Sequence, residues 1–171
     1  SDLLVHPNRS KVERFFFFFS LKHADVITLP SLQMKKVAVK YGAVEEKIYQ
    51  VQYGIELNKI KPAQQPANII NILCSRNLTP QYKTDLIIRA FAELVKKYPG
   101  IHLNILGDGP EKGNLTKLVN EQNLNKKVTF HGHIDHDKIF AFYESSHLYV
   151  TASPTDGLSI SLLEALAGGL L

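Results

Sequence analysis

Residues 153–169 read SPTDGLSISLLEALAGG and come shortly after the β-rich stretch HLYVT at residues 147–151. Pro154, Asp156 and Gly157 are residue types that favour turns and helix caps. Apolar residues then recur at helical spacing until a glycine pair stops the helix; they are Leu158, Leu162, Ala165 and Leu166. A strand, a tight turn and a helix in this order form the unit of α/β folds, whose turns present backbone N–H groups to anions.

The predicted turn and helix carry two acids, Asp156 and Glu164. At about 100° of rotation per residue, a rigid helix would place them roughly 80° apart, so they converge only if Asp156 lies in the turn. The simpler alternative is structural: Asp156 caps the helix, and Glu164 faces water together with Ser161 and Gly168. Spacing alone leaves both interpretations open and favours the structural one.

Strands alternate with helices upstream of this unit, from Ile69 onward. The predicted elements are strand 69–74, helix 84–97, strand 101–106, helix 111–122, strand 127–131, helix 135–144 and strand 148–151. This alternation indicates a parallel sheet covered by helices on both faces. Ligands of such sheets bind beyond the carboxyl ends of the strands.

Cations and glycines occupy the turns that follow these strands. Arg76 and Lys83 suit a phosphate or diphosphate, because a guanidinium binds it through two donors and an ammonium is a compact charge; the alternative is that they are solvated loop cations. Residues 107–110 read GDGP, which lacks the third glycine of a dinucleotide fingerprint and is not followed by a Walker sequence. We interpret GDGP as a tight turn into a helix whose first residue is Pro110.

Histidines and aspartates cluster between residues 131 and 137: His131, His133, Asp135, His136 and Asp137. A strand would place His131 and His133 on one face, but the others fall in a turn and a helix cap, so we predict no metal site. No Gly-x-Ser-x-Gly sequence occurs, which argues against a hydrolase nucleophile elbow.

The amino-terminal part predicts a helix at 11–23, a strand at 25–29, a helix at 32–41 and a strand at 47–51. Five consecutive phenylalanines, residues 15–19, cannot all face one core. We favour a core position for this helix, with contact to a missing segment or to a membrane as alternatives. Residues 59–68 are rich in Pro and Gln and are predicted to link a domain at 1–58 to one at 69–171.

The amino-acid composition limits the kinds of ligand and site that the chain can have. The chain is 44% hydrophobic, with a net charge of +4 that is spread along the sequence, which favours anionic small molecules or membrane surfaces and disfavours nucleic acid. Cys74 is the single cysteine, so an internal disulfide or a cysteine metal cluster is excluded and a reducing, cytoplasmic compartment is expected. The chain lacks an initiator methionine and ends within an apolar run, so we expect a piece of a longer protein.

Four segments, in this order, resemble the motifs of family 4 (group 1) retaining glycosyltransferases: residues 75–91, 106–110, 128–132 and 156–164. Residues 24–31 and 53–56 are similar to the segments that join the two Rossmann-like domains of those enzymes. The resemblance implies an α/β fold of the GT-B type, with a parallel sheet flanked by helices. Residues 69–171 would be an incomplete carboxyl-terminal donor domain, preceded by the end of the acceptor domain.

The resemblance also implies roles for individual residues. Arg76 and Lys83 would hold the diphosphate of a nucleotide-diphosphate sugar. Asp156, where the family usually has glutamate, and Glu164 would be the active-site acids, the first near the donor sugar and the second on the ribose hydroxyls. Other positions would contact the sugar and phosphate (Gly157, Leu158, Ser159) or border the base (Gly107, Gly109, His131, Gly132).

The activity implied is hexosyl transfer with retained configuration and without a metal, as in polysaccharide biosynthesis. The acceptor would be a carbohydrate or a lipid-linked sugar, with peripheral membrane association as an option and no nucleic-acid partner. One departure is that Arg76 and Lys83 stand two residues further apart than in the common pattern. The alternatives are a nucleotide-binding or interaction module without transferase activity, and an epimerase or phosphorylase of the same fold.

Overall fold

The computed structural model describes residues 10–64, 68–154 and 159–171. They form two compact units, the first containing residues 10–54 and the second containing residues 55–64, 68–154 and 161–171. The predicted domain ranges and the linker at 59–68 stay a prediction. Within the second unit, the backbone N–H of Ala63 donates to the carbonyl of Gly168 at 2.8 Å, and that of Gln64 donates to the carbonyl of Glu144 at 2.9 Å.

The first unit pairs two helices with a short parallel ribbon. In chain order the elements are α1 (Lys11–His23), β1 (Ile27–Leu29), α2 (Leu32–Lys40) and β2 (Ile48–Gln50), with β1 parallel to β2. Both helices begin at serine caps: Ser10 Oγ accepts from the Glu13 N–H at 3.1 Å, and Ser31 Oγ accepts from the Met34 N–H at 3.3 Å. The four predicted elements are confirmed, with shorter strands.

The phenylalanine run of α1 is divided between a core and solvent. Phe17 packs against a small cluster of buried residues, Leu29, Ala38, Ala43 and Ile48. Phe15, Phe16 and Phe19 are 52–64% exposed. The core interpretation is therefore confirmed for Phe17 and is wrong for these three, because a single helix can turn only one face toward one small core.

The second unit is built on a four-stranded parallel sheet in the order β5-β4-β3-β6. Its strands are β3 (Ile70–Ser75), β4 (Ile101–Leu106), β5 (Val128–Gly132) and β6 (Leu148–Tyr149). The helices are α3 (Thr84–Lys97), α4 (Lys112–Glu121), α5 (His136–Glu144) and α6 (Ile160–Ala167). This arrangement confirms the predicted alternation of strands and helices and the predicted parallel sheet.

Alternate residues of the strands point into two separate cores. Ile72 and Cys74 of β3 belong to a cluster that also contains buried residues of α3 and α4. Leu73 belongs to a second cluster, formed with Phe140 and Tyr143 of α5 and Ala165 of α6. Helices thus cover both faces of the sheet, and the carboxyl ends of the strands are left as its open edge. No helix in the described ranges is long and apolar enough to cross a bilayer.

Because Cys74 is buried, we expect the free energy of unfolding to decrease at alkaline pH. Its side chain is fully buried, and burial raises the pKa of the thiol to about 12. The unfolded chain releases this proton near pH 9 and the folded chain retains it, so stability falls by about 1.4 kcal/mol per pH unit above pH 9. We expect the wild type to lose about 1.4 kcal/mol more than Cys74→Ala between pH 8 and pH 10. Urea unfolding under reducing conditions measures both losses, and equal losses would contradict this account.

Candidate functional site

Hydrogen bonds join the turns that follow β3 and β4 at the open edge of the sheet. The backbone N–H of Arg76 donates to the carbonyl of Leu106 at 3.1 Å, and that of Leu78 donates to the carbonyl of Asp108 at 2.9 Å. Gly107 permits this approach: its φ is +116°, and a Cβ there would overlap the carbonyl oxygen of Arg76. A Cβ on Gly109 would similarly overlap the carbonyl oxygen of Leu78. The two glycines therefore keep the turns in backbone contact.

The turn after β4 is longer than predicted. Helix α4 begins at Lys112, so the prediction that Pro110 is its first residue is wrong. The reason is that the Glu111 N–H donates to the carbonyl of Leu78 at 3.0 Å, which ties this part of the turn to the turn after β3. Asp108 closes the turn by accepting from the N–H of Gly109 at 2.8 Å and from Lys112 Nζ at 2.8 Å. The hydrogen bond from Lys112 holds the pKa of Asp108 below its usual value.

A cleft of about 160 Å³ lies at this edge. Its described lining combines polar and apolar groups: Ser75, Arg76, Asn77, Leu106, Gly107, His133, Ile134 and Ile139. Small-molecule pockets usually measure about 300–1,000 Å³, so this cleft accommodates part of such a ligand. A cation, hydroxyl and amide groups next to apolar side chains suit an anionic ligand that also has a flat or apolar part.

The two cations predicted to bind phosphate occupy different surroundings. Arg76 lines the cleft, and its Cζ lies 5.4 Å from the centroid of the Tyr82 ring. Lys83 is exposed, adopts a left-handed backbone (φ 52°, ψ 37°) and is not among the described residues that line the cleft. The segment between Arg76 and Lys83, which is two residues longer than in the common family pattern, contains a short 3-10 turn, Pro80–Tyr82. The diphosphate role of both cations stays a prediction.

Glu164 is buried, with only 3% of its surface exposed. Its carboxylate accepts a hydrogen bond from the Tyr143 hydroxyl at Oε2 (3.0 Å), and its Oε1 lies 2.9 Å from His136 Nε2. The interpretation that Glu164 faces water is therefore wrong. The physical reason is that α5 supplies polar partners for both oxygens, so the carboxylate can be enclosed without losing hydrogen bonds.

The contacts of Glu164 continue to the cleft through buried hydroxyl groups. Ser75 Oγ lies 3.4 Å from Tyr143 Oη and 3.2 Å from Tyr149 Oη, so its one proton can be donated to either hydroxyl. Burial raises the pKa of both tyrosines, so they stay neutral well above physiological pH. Because Ser75 also lines the cleft, a hydrogen-bonded path leads from Glu164 to the residue before Arg76. Sequence reasoning missed Tyr143, because a tyrosine at helical spacing from Phe140 reads as a core residue.

His131 occupies an irregularity in β5. The partners of Ile105 and Leu106 in β5 skip from Phe130 to Gly132, which leaves His131 as the extra residue. Its Nε2 lies 2.9 Å from Asn104 Oδ1 and its ring packs edge-on against Phe142, with 4.8 Å between centroids. Burial lowers the pKa of His131.

The histidine pair predicted at the end of β5 is divided. His133 lines the cleft, whereas His131 is not among the described lining residues. The expectation that the two share a strand face is wrong, because β5 ends at Gly132, whose φ is +71°. Gly132 itself accepts a hydrogen bond from the Gly107 N–H at 2.7 Å, which places it beside the turn after β4. The predicted contact of His131 and Gly132 with a base stays a prediction.

Several predicted site residues lie outside the described part of the chain, namely Asp156, Gly157 and Leu158. Ser159 is buried and directly precedes α6. Within the described ranges, no group of three His, Cys, Asp or Glu side chains is placed to hold a metal ion.

Three curated proteins with related sequences are two transferases and a synthase. The chain is 24% identical to a subunit of phosphatidylinositol N-acetylglucosaminyltransferase from Arabidopsis thaliana, over 90% of this chain and 35% of that protein. It is 25% identical to the GtfA subunit of the UDP-N-acetylglucosamine–peptide N-acetylglucosaminyltransferase of Streptococcus parasanguinis, over 91% and 31%. It is 31% identical to alpha-monoglucosyldiacylglycerol synthase of Acholeplasma laidlawii, over 49% and 21%. The chain thus spans about a third or less of the length of these relatives.

Solved structures share the fold. Anabaena HepE in complex with UDP-glucose superposes with a TM-score of 0.84 at 19% identity, over 99% of this chain and 50% of that one. The S. aureus TarM mutant in complex with UDP superposes with a TM-score of 0.81 at 17% identity, over 96% and 34%. The α/β architecture is therefore that of GT-B glycosyltransferases. Residues 57–171, more than half of the chain, match the family described as glycosyl transferases group 1. The chain belongs to the group 1 glycosyltransferases of the GT-B fold.

Proposed function

We propose that this chain carries the donor-binding part of a glycosyltransferase that moves a hexose from a nucleotide-diphosphate sugar to an acceptor with retention of configuration. The observation that carries the proposal is the path Glu164–Tyr143–Ser75, which links a buried carboxylate to the cleft that Arg76 lines. A carboxylate suits sugar hydroxyls, and a guanidinium suits a diphosphate. Both groups belong to the second unit, at the open edge of its sheet.

In this proposal Arg76 binds the diphosphate, Glu164 accepts from the ribose hydroxyls and Asp156 lies near the donor sugar. The bond from the anomeric carbon to the diphosphate oxygen breaks, and its electron pair stays on that oxygen. An acceptor oxygen bonds to the same carbon and gives its proton to the departing diphosphate. Negative charge develops on the leaving diphosphate, and positive groups fixed in advance lower its energy. The proposal assigns this task to Arg76, Lys83 and backbone N–H groups, without a metal ion.

The activities and ligands of related proteins support a uridine nucleotide as the donor. They include a UDP-N-acetylglucosamine transferase and a structure in complex with UDP-glucose. Two further names, phosphatidylinositol N-acetylglucosaminyltransferase and alpha-monoglucosyldiacylglycerol synthase, support a lipid-linked acceptor. We therefore propose a UDP-hexose donor and a carbohydrate or lipid-linked acceptor, with polysaccharide or glycolipid biosynthesis as the process.

The test is calorimetric titration of the chain with UDP, GDP, ADP and their hexose derivatives. We expect saturable binding of one nucleotide, UDP by preference. Absence of binding by a chain that unfolds cooperatively in urea would contradict the proposal. Nucleotide binding that is unchanged in Glu164→Ala would favour the alternative, a nucleotide-binding module without transferase activity.

The exposed stripe of α1 supports a peripheral contact with an anionic membrane at the cytoplasmic face. Its residues recur at i, i+3, i+4 and i+7 and are 52–66% exposed: Val12, Phe15, Phe16 and Phe19. By helical spacing, Lys11 and Lys22 lie along one side of this stripe. Exposed aromatic side chains can enter the interface of a bilayer while lysines contact anionic headgroups.

Vesicle flotation tests this contact. We expect the chain to float with vesicles that contain anionic lipid and to float less with neutral ones. The double variant Phe15→Ser/Phe16→Ser should lose most of this binding, whereas Leu86→Ser, which changes an exposed leucine of α3, should keep it. Equal flotation of the two variants, or none for the wild type, would overturn the contact.

A further inference from the structure

We propose that His136 and Tyr143 are positioning residues that hold the Glu164 carboxylate ready for the two hydroxyls of a nucleotide ribose. The inference rests on the proposed function and concerns how the protein orients the Glu164 carboxylate. Each partner serves a different oxygen: Tyr143 donates to Oε2 at 3.0 Å, and His136 Nε2 lies 2.9 Å from Oε1. An ionised carboxylate only accepts, so Nε2 is the protonated nitrogen in this contact.

The arrangement leaves the carboxylate able to bind a diol. A carboxylate oxygen has two lone-pair sites, and each oxygen of Glu164 uses one of them for a partner on α5. Within the described ranges, one site on each oxygen carries no other hydrogen bond, which matches the two neighbouring hydroxyls of a ribose. With its orientation fixed by two hydrogen bonds, the carboxylate binds the diol without first losing rotational freedom.

The buried position of the Glu164 carboxylate indicates that it has a role other than packing. The Glu164 side chain is 4% exposed, and enclosing a charge is costly unless it is paired and hydrogen-bonded. An apolar residue at this position of α6 would join the neighbouring cluster of Leu73, Phe140 and Ala165 without that cost. The partners also differ in exposure: Tyr143 is fully buried, whereas the His136 side chain is 57% exposed and packs its ring edge-on against Phe140.

A ligand cycle tests the inference, with His136→Ala as the main variant because the exposed histidine can be removed without opening the core. The ligands are the nucleoside diphosphate that binds the wild type and its 2′,3′-dideoxy form. We expect His136→Ala to lower the affinity for the nucleoside diphosphate about 10-fold and to change the affinity for the dideoxy form by less than about 2-fold. His136→Gln, whose amide N–H replaces the Nε2 donor, should restore binding to within about 3-fold. Tyr143→Phe should repeat the pattern of His136→Ala.

The outcomes separate the inference from the proposed function. If His136→Ala and Tyr143→Phe lower the affinity for both ligands equally, the two side chains have a purely structural role and the inference is overturned. Equal affinity of the wild type for both ligands would overturn it as well, while leaving nucleotide binding in place. Binding of no diphosphate at all by the wild type would overturn the proposed function itself. Tyr149→Phe is the control. Tyr149 contacts Ser75, so its substitution should change the affinity for both ligands by the same factor.

Discussion

Replacing Gly107 with alanine is expected to lower the free energy of unfolding by about 3 kcal/mol or more. The backbone at Gly107 has a φ of +116°, which L-residues rarely adopt, and the added Cβ would overlap the carbonyl oxygen of Arg76. A backbone carbonyl cannot rotate away as a side chain can, so either the turn after β3 or the turn after β4 has to move. The shift would also break the hydrogen bond from the Gly107 N–H to the Gly132 carbonyl. Urea unfolding measures the loss.

Gly113→Ala is the matched control for this prediction. Gly113 lies within α4, and a Cβ there meets no atom within 4 Å. Gly113 lies in the first turn of α4, where alanine is favoured over glycine by less than the about 1 kcal/mol of a helix interior, so this variant should be at least as stable as the wild type. Unfolding of Gly107→Ala and Gly113→Ala at the same urea concentration would show that the close approach of the two turns does not limit the residue at position 107.

Arg76→Ala is expected to weaken nucleoside diphosphate binding by about 10- to 100-fold. Arg76 lines the cleft and is the one cation among its described lining residues. Hydrogen bonds to charged groups contribute about 1.5–3 kcal/mol, which corresponds to this range of affinity. The loss should shrink as salt is added, because ions screen the charge of the diphosphate.

Arg89→Ala controls for the change of net charge. Arg89 is exposed on α3, so its removal alters the charge of the chain by the same amount without touching the cleft. We expect an effect below about 2-fold. Calorimetric titration of both variants, each checked for cooperative unfolding, measures the difference. Similar affinities for Arg76→Ala and Arg89→Ala would place the diphosphate elsewhere.

The sheet was predictable because its local signals agree. Helix α3 and strand β4 have the predicted ends, since a strong apolar period ends at Pro99 and Gly100 and a new strand starts at once. Strand β5 shows the limit: the irregularity at His131 depends on pairing with β4 and leaves no local signal. The start of α4 was likewise set by a hydrogen bond to Leu78, which is distant in sequence.

The site was only partly predictable. Arg76 could be placed at the open edge of the sheet, because it directly follows a strand. The surroundings of Glu164 could not, since helical spacing gives the rotation of a side chain and not its partners. Its contact with Tyr143 joins two helices that are separated in the sequence by β6. The roles of Asp156, Gly157 and Leu158 come from family resemblance and stay predictions.

Amide chemical-shift mapping by NMR is the measurement that tests the central claim most directly, and a chain of 19.2 kDa suits it. The claim is that a nucleotide binds at the carboxyl edge of the four-stranded sheet. Titration with UDP should shift the amides of the cleft, at Ser75, Arg76, Asn77, Gly107, His133 and Ile134, together with that of Glu164. Saturable shifts confined to the opposite edge of the sheet, around Ile70 and Ile101, would contradict the account.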